Sequence, residues 1–152
     1  KRNSLARKLK LEEFKSINGK LYCDTVKWIK EDWIDYIMPQ CYYSFDYSNN
    51  SFHEMASWWN KVIEGTNVSL YIGLGIHNSI SETYEYSWKT QENELINQLL
   101  YLNTLKNGKG VSLVSFTTII DIYNNTNAIS HSAFMKLKNE MWLHKVKIAK
   151  KL

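Results

Sequence analysis

The run Pro39-Gln40-Cys41-Tyr42-Tyr43-Ser44-Phe45-Asp46-Tyr47 sets a side-chain amide beside four aromatic rings. Two further segments carry compatible groups: Gly73-Leu74-Gly75-Ile76-His77-Asn78 offers an imidazole, and Ser115-Phe116-Thr117-Thr118 offers hydroxyls. Sugar rings stack their C–H faces on aromatics and present hydroxyls to planar hydrogen-bonding groups, so this combination suits a carbohydrate site. Gln40, Tyr42, Tyr43, His77 and Ser115 are the candidate substrate contacts. Some of the aromatics are expected to pack beneath loops instead, and His77 is open to a second reading as a loop residue satisfied by backbone. A glycosidase also needs two carboxyl groups, about 5 to 5.5 Å apart for retention or about 6.5 to 9.5 Å for inversion. Gln40, His77 and Ser115 are not carboxylates; Asp46 lies on the first loop, Asp35 within an apolar run and Asp121 further along, so no catalytic pair is identified.

The elements that hold these groups come from three apolar runs, 33–38, 68–73 and 111–116, each rich in β-branched or aromatic residues and each followed by a turn. Longer helix-like segments follow the runs, and strand followed by helix, three times over, predicts an α/β chain with a parallel sheet whose chemistry sits where the strands end. Helices are expected from Tyr22 to Asp32, His53 to Glu64, Thr90 to Lys106 and Ser132 to about Lys150, with their apolar stripes facing the core. Gly65 suits a left-handed C-terminal cap, Thr90 an N-cap, and Glu92 and Glu94 the positive end of a helix dipole. Residues 1–20 read as an extension or the end of a preceding helix, leaving 21–152 as the body of the domain.

Composition narrows the function classes. The 152 residues are 44% hydrophobic with one proline, which gives one domain or part of one with a real core. No stretch approaches a membrane span and no signal-like start is visible, so the chain reads as soluble. The formal charge of +4 is unevenly placed: residues 11–135 hold eight basic and fourteen acidic residues, a net charge of −6, and the aromatics lie in this acidic body. A nucleic-acid binder interleaves its aromatics with basic residues, so nucleic acid is not the expected partner. The lysines of the last helix read as a solvated face rather than a membrane contact. Cys23 and Cys41 have neither CxxC nor histidine spacing; buried thiols are expected, a disulfide stays open, and neither a metal nor a cofactor is expected.

Two strings carry a family likeness: Trp28-Ile29-Lys30-Glu31-Asp32-Trp33-Ile34-Asp35-Tyr36-Ile37-Met38-Pro39-Gln40-Cys41-Tyr42-Tyr43, and Trp58-Trp59-Asn60-Lys61-Val62-Ile63-Glu64-Gly65-Thr66-Asn67-Val68-Ser69-Leu70-Tyr71-Ile72-Gly73. In order and spacing the chain resembles, over about 21–118, the glycosyl-hydrolase-like family ten of bacterial (β/α)-barrel proteins, with Pro-Gln after the first strand and Gly-Thr before the second as the sharpest features. Tyr43 stands where that family usually has tryptophan, and Leu74-Gly75-Ile76-His77 departs from its usual run. The resemblance implies a partial (β/α)8 barrel, strands six to eight, with the acid and base on strands outside this chain and a cell-surface or secreted location. It implies the C-terminal part of a glycoside hydrolase acting on a polysaccharide such as a cell-wall glycan, with this chain as one wall of the sugar cleft. The alternative is a non-catalytic carbohydrate-binding or interaction module. Either way, a three-stranded piece of barrel has two open edges and is expected to meet the remaining barrel strands or a second copy of itself.

Overall fold

A computed structural model of the chain describes residues 23–84, 86–126 and 128–143. The expected extension over 1–20, the helix start at Tyr22 and the end of the last helix lie outside the described residues.

Among the described residues the first helix, α1 (Thr25–Lys30), begins where the Asp24 side chain accepts from Lys27 N–H at 3.0 Å. It ends in a left-handed turn: Asp32 has φ 52°, Trp33 N–H donates to the Trp28 carbonyl at 2.8 Å, and Asp32 N–H donates to Ile29. These paired bonds satisfy the last helical carbonyls and hold Trp33 in the helix-ending turn. The first strand is therefore shorter than the expected 33–38, with β1 restricted to Tyr36–Ile37 and one further bridge between Gln40 and Gly73.

Helix α2 (Phe52–Val62) opens with a reciprocal capping box between Ser51 and Glu54, and the chain reverses at Gly65, φ +75°. Ser51 satisfies one orphan amide and Glu54 returns the favour to the cap, fixing the start one residue before the expected His53. Strand β2 (Ser69–Leu74) follows. The single helix expected over 90–106 is two: α3 (Ser87–Thr90) and α4 (Glu94–Asn103). Gln91 between them is extended (φ −121°, ψ 119°), so Thr90 ends α3 instead of capping a long helix.

Strand β3 (Gly108–Leu113) starts and stops three residues before the expected 111–116. It cannot run to Phe116 because Ser115 and Thr118 form a second capping box that opens α5 (Phe116–Asn124), a helix not expected from the sequence. The last helix is also shorter within the described residues: α6 (His131–Lys136) passes into a wider π turn over Leu137–Met141, and Trp142 leaves helical geometry.

Among the described residues the three strands are parallel in the order β1-β2-β3, pairing Tyr36 with Ser69, Ile37 with Leu70, and Ile72 with Val111. Leu70, Ile72 and Leu74 point to one face and are fully buried against Phe52, Ala56 and Trp59 of α2 and Leu95, Leu99 and Leu102 of α4. Burying each such side chain contributes about 1.5–3 kcal/mol, which makes this layer the core that fixes the sheet. The opposite face carries Tyr36, Ser69, Tyr71, Gly73, Gly110 and Ser112 by register. Tyr36 remains 58% exposed there, its ring edge-on to Tyr71 at 6.0 Å. Sequential parallel order with helices packed on one face is compatible with a segment of a (β/α) barrel.

Candidate sugar-binding rim

The loop after β1 is fastened to β2 by backbone. Gly73 N–H donates to the Pro39 carbonyl and Cys41 N–H to the Gly73 carbonyl, both at 3.0 Å. Cys41 is fully buried and free, and burial pushes its thiol up to about 12; Cys23 is free and half-buried. The Cys41 side chain therefore anchors the loop as a neutral apolar group. Tyr42 follows and lies directly on Gly75, where an added Cβ would stand 2.7 Å from the Tyr42 Cβ. Only glycine permits that approach.

The Tyr42 ring meets His77 edge-on at 5.3 Å, and Asn78 Nδ2 donates to the Tyr42 carbonyl at 2.8 Å. His77 in turn reaches the third strand's end: its backbone N–H and its Nδ1 both lie 3.2 Å from the Val114 carbonyl. A carbonyl only accepts, so Nδ1 carries the proton in this contact, and in the neutral ring Nε2 is left as an acceptor. Gln40 is exposed beside Gly73. Thus the segments bearing Gln40, Tyr42 and His77 converge at the C-terminal ends of adjacent parallel strands. Ser115 is next in the chain to Val114, but its hydroxyl lies 2.7 Å from Thr117 Oγ1 and 3.1 Å from Thr118 Oγ1, within the cap of α5.

The four aromatics of the loop separate. Phe45 packs inward, edge-on to Phe52 at 5.3 Å and to Tyr101 at 5.9 Å. Tyr43 turns away from Tyr42 and stacks on Tyr47, 4.4 Å between centroids and 19° between planes. Tyr47 then meets Tyr86 at 4.8 Å, and Tyr86 meets Tyr84 at 5.5 Å.

Beneath this second aromatic group lies a polar network that the sequence did not single out. Glu94, only 3% exposed, accepts from Phe45 N–H at 3.0 Å, Ser87 Oγ at 2.7 Å and Gln98 Nε2 at 2.7 Å. Gln98 Nε2 also donates to the Tyr43 carbonyl at 3.1 Å. Above it, exposed Asp46 accepts from Ser44 Oγ at 2.6 Å and from Ser87 N–H at 3.0 Å. Burial pulls the Asp46 carboxyl upward, but the Ser44 and Ser87 hydrogen bonds outweigh it and hold the group below the usual carboxylate range. Tyr84, which donates to Ser44 Oγ at 3.2 Å, is raised by burial first, with the Asp46 and Glu94 charges adding to it. Of the other two acids noted in the sequence, Asp35 lies before β1, where its carbonyl accepts from Ser69 N–H, and Asp121 is exposed on α5.

Comparison with known proteins gives a consistent picture. Residues 13–90, about half of the chain, match the family model described as Glycosyl hydrolase-like 10. The chain is 34% identical over 90 residues to glycosyl hydrolase YngK of Bacillus subtilis (strain 168), a match covering 59% of this chain and 17% of that protein. It is 38% identical over 56 residues to glycosyl hydrolase DigH of Escherichia coli (strain K12), covering 37% of this chain and 13% of that protein. The matched stretches therefore span less than a fifth of these curated relatives.

Proposed function

The chain belongs to the glycosyl hydrolase-like 10 family, and on that footing we propose that it forms one wall of the sugar cleft of a (β/α)8-barrel glycoside hydrolase that cleaves O-glycosidic bonds in a polysaccharide such as a cell-wall glycan. The contact of Tyr42 with His77, made between the ends of neighbouring parallel strands, is the observation that carries this reading. It places an aromatic face beside an imidazole acceptor at the end of the sheet where parallel α/β folds bind ligands. Gln40 and His77 hydrogen-bond sugar hydroxyls, Tyr42 and Tyr43 stack on ring faces, and Ser115 fixes the third segment of the rim.

The acid and base come from other strands of the barrel. Gln40, His77 and Ser115 supply no carboxylate, and the buried Glu94 already accepts three hydrogen bonds. The open face bearing Tyr36 and Tyr71 is then met by the remaining barrel strands or by a second copy of this chain.

The test is complementation. The chain is combined with the part of the Bacillus subtilis relative outside the matched stretch, and release of reducing sugar from bacterial cell-wall glycan is assayed. Release that falls on His77→Ala is expected. Glycan binding without release under complementation would instead identify a non-catalytic carbohydrate-binding module, and the absence of both would overturn the reading.

A further inference from the structure

Adjacent residues Tyr42 and Tyr43 diverge, and the rings on the Tyr43 side form a platform of their own. Resting on the carbohydrate-cleft reading, we propose that Tyr43, Tyr47 and Asp46 form a second sugar subsite that takes an uncharged pyranose unit of the glycan whose neighbouring unit lies at Tyr42 and His77.

Three observations on the α3 side of the loop carry this. The first is the platform itself: Tyr43 and Tyr47 are stacked at 4.4 Å and braced from the side by Tyr86 at 4.8 Å, all three rings half-buried. Rings held this way keep a fixed plane, which is what a pyranose face needs for stacking. The second is Asp46, an exposed carboxylate whose Ser44 and Ser87 donors fix its orientation without occupying it fully. An ionised carboxylate offers about four acceptor positions, so lone pairs remain for sugar hydroxyls. The third is the floor. Glu94 holds Phe45 N–H and Ser87 Oγ together, and Gln98 ties Glu94 to the Tyr43 carbonyl, so the platform and the carboxylate are set in place before a ligand arrives.

Charge selects the ligand. Asp46 is ionised, and residues 11–135 carry a net charge of −6, so an anionic sugar at this position meets like charge while a neutral one does not.

Calorimetric titration of the full chain with neutral β-1,4-linked N-acetylglucosamine disaccharide and hexasaccharide tests the proposal. The hexasaccharide is expected to bind more tightly, and Tyr47→Ala or Asp46→Asn should each reduce the hexasaccharide-to-disaccharide affinity ratio about tenfold, roughly 1.4 kcal/mol. Tyr47→Phe, which keeps the ring, should restore the ratio and so separates stacking from misfolding. His77→Ala should weaken both ligands and keep the ratio. If His77→Ala weakens binding while Tyr47→Ala and Asp46→Asn keep the wild-type ratio, the second subsite is overturned and the cleft reading stands. If wild-type chain binds neither glycan, the second subsite is overturned, while the cleft reading stands or falls on the complementation assay. A hexagalacturonate that binds as tightly as the neutral hexasaccharide overturns the selection for uncharged sugar.

Discussion

Single atoms decide how this rim is held. At Gly75 an added Cβ would lie 2.9 Å from the Tyr42 Cα, a backbone atom with no easy way to yield. Gly75→Ala is therefore expected to cost about 1–3 kcal/mol of stability in urea unfolding and to weaken glycan binding by displacing Tyr42; a variant with wild-type values in both would show that the approach does not matter. Glu94→Ala leaves Phe45 N–H, Ser87 Oγ and Gln98 Nε2 without their acceptor, and a loss of about 3 kcal/mol is expected by the same measurement. Asp46 adds a pH dependence. Its carboxyl is held below the ordinary range, so its contribution is present above the unfolded-state value of about 3.9 and is lost as pH falls through the lower folded value. Wild type should exceed Asp46→Asn in stability at neutral pH, and the two should converge in acid; a gap that persists in acid contradicts this origin. The residue types at the rim were legible in the sequence because Gln40, Tyr42 and His77 follow strand-like runs. Glu94 was not, since a carboxylate in a first helical turn looks the same whether it faces water or three buried donors.

Among the elements, the paired turns and caps fixed boundaries that hydrophobic pattern alone misplaced. The run from Trp33 to Met38 reads as strand throughout, yet the left-handed Asp32 turn claims its beginning. Likewise Ile119, Ile120 and Ile122 are β-branched, a composition that favours strands, and the Ser115–Thr118 capping box overrides it to start α5. Ser115→Ala should consequently lower stability by about 1 kcal/mol through the lost cap, as should Ser51→Ala at α2. Glycan affinity measured on Ser115→Ala distinguishes a hydroxyl spent on the cap, for which affinity changes little, from one that also touches sugar. Both βα units around β2, its parallel partners and its burial pattern follow directly from the alternation in Ser69–Leu74, where Leu70, Ile72 and Leu74 face the helices. That strand was the most legible because turn signals, periodicity and β-branching agree there.

At the scale of the whole molecule, the sheet face opposite the helices sets the expectation. Tyr36 and Met38 are exposed at the first edge strand, and among the described residues β1 and β3 each pair only with β2, which leaves one edge of each open to a further strand. Sedimentation velocity is expected to show concentration-dependent association, reduced by Tyr36→Lys; a monomer across the accessible range would argue against a sheet face that recruits strands. Parallel order could be read from the sequence, whereas what covers the far face depends on chain outside these three strands. The most direct measurement is a 1H–15N spectrum of the full chain titrated with a neutral β-linked oligosaccharide. Amide shifts should gather at residues 40–47, 75–78 and 114–115, where the strand ends meet. A spectrum unmoved by saturating glycan, or one that moves only at the opposite ends of the strands, would contradict a sugar cleft at this rim.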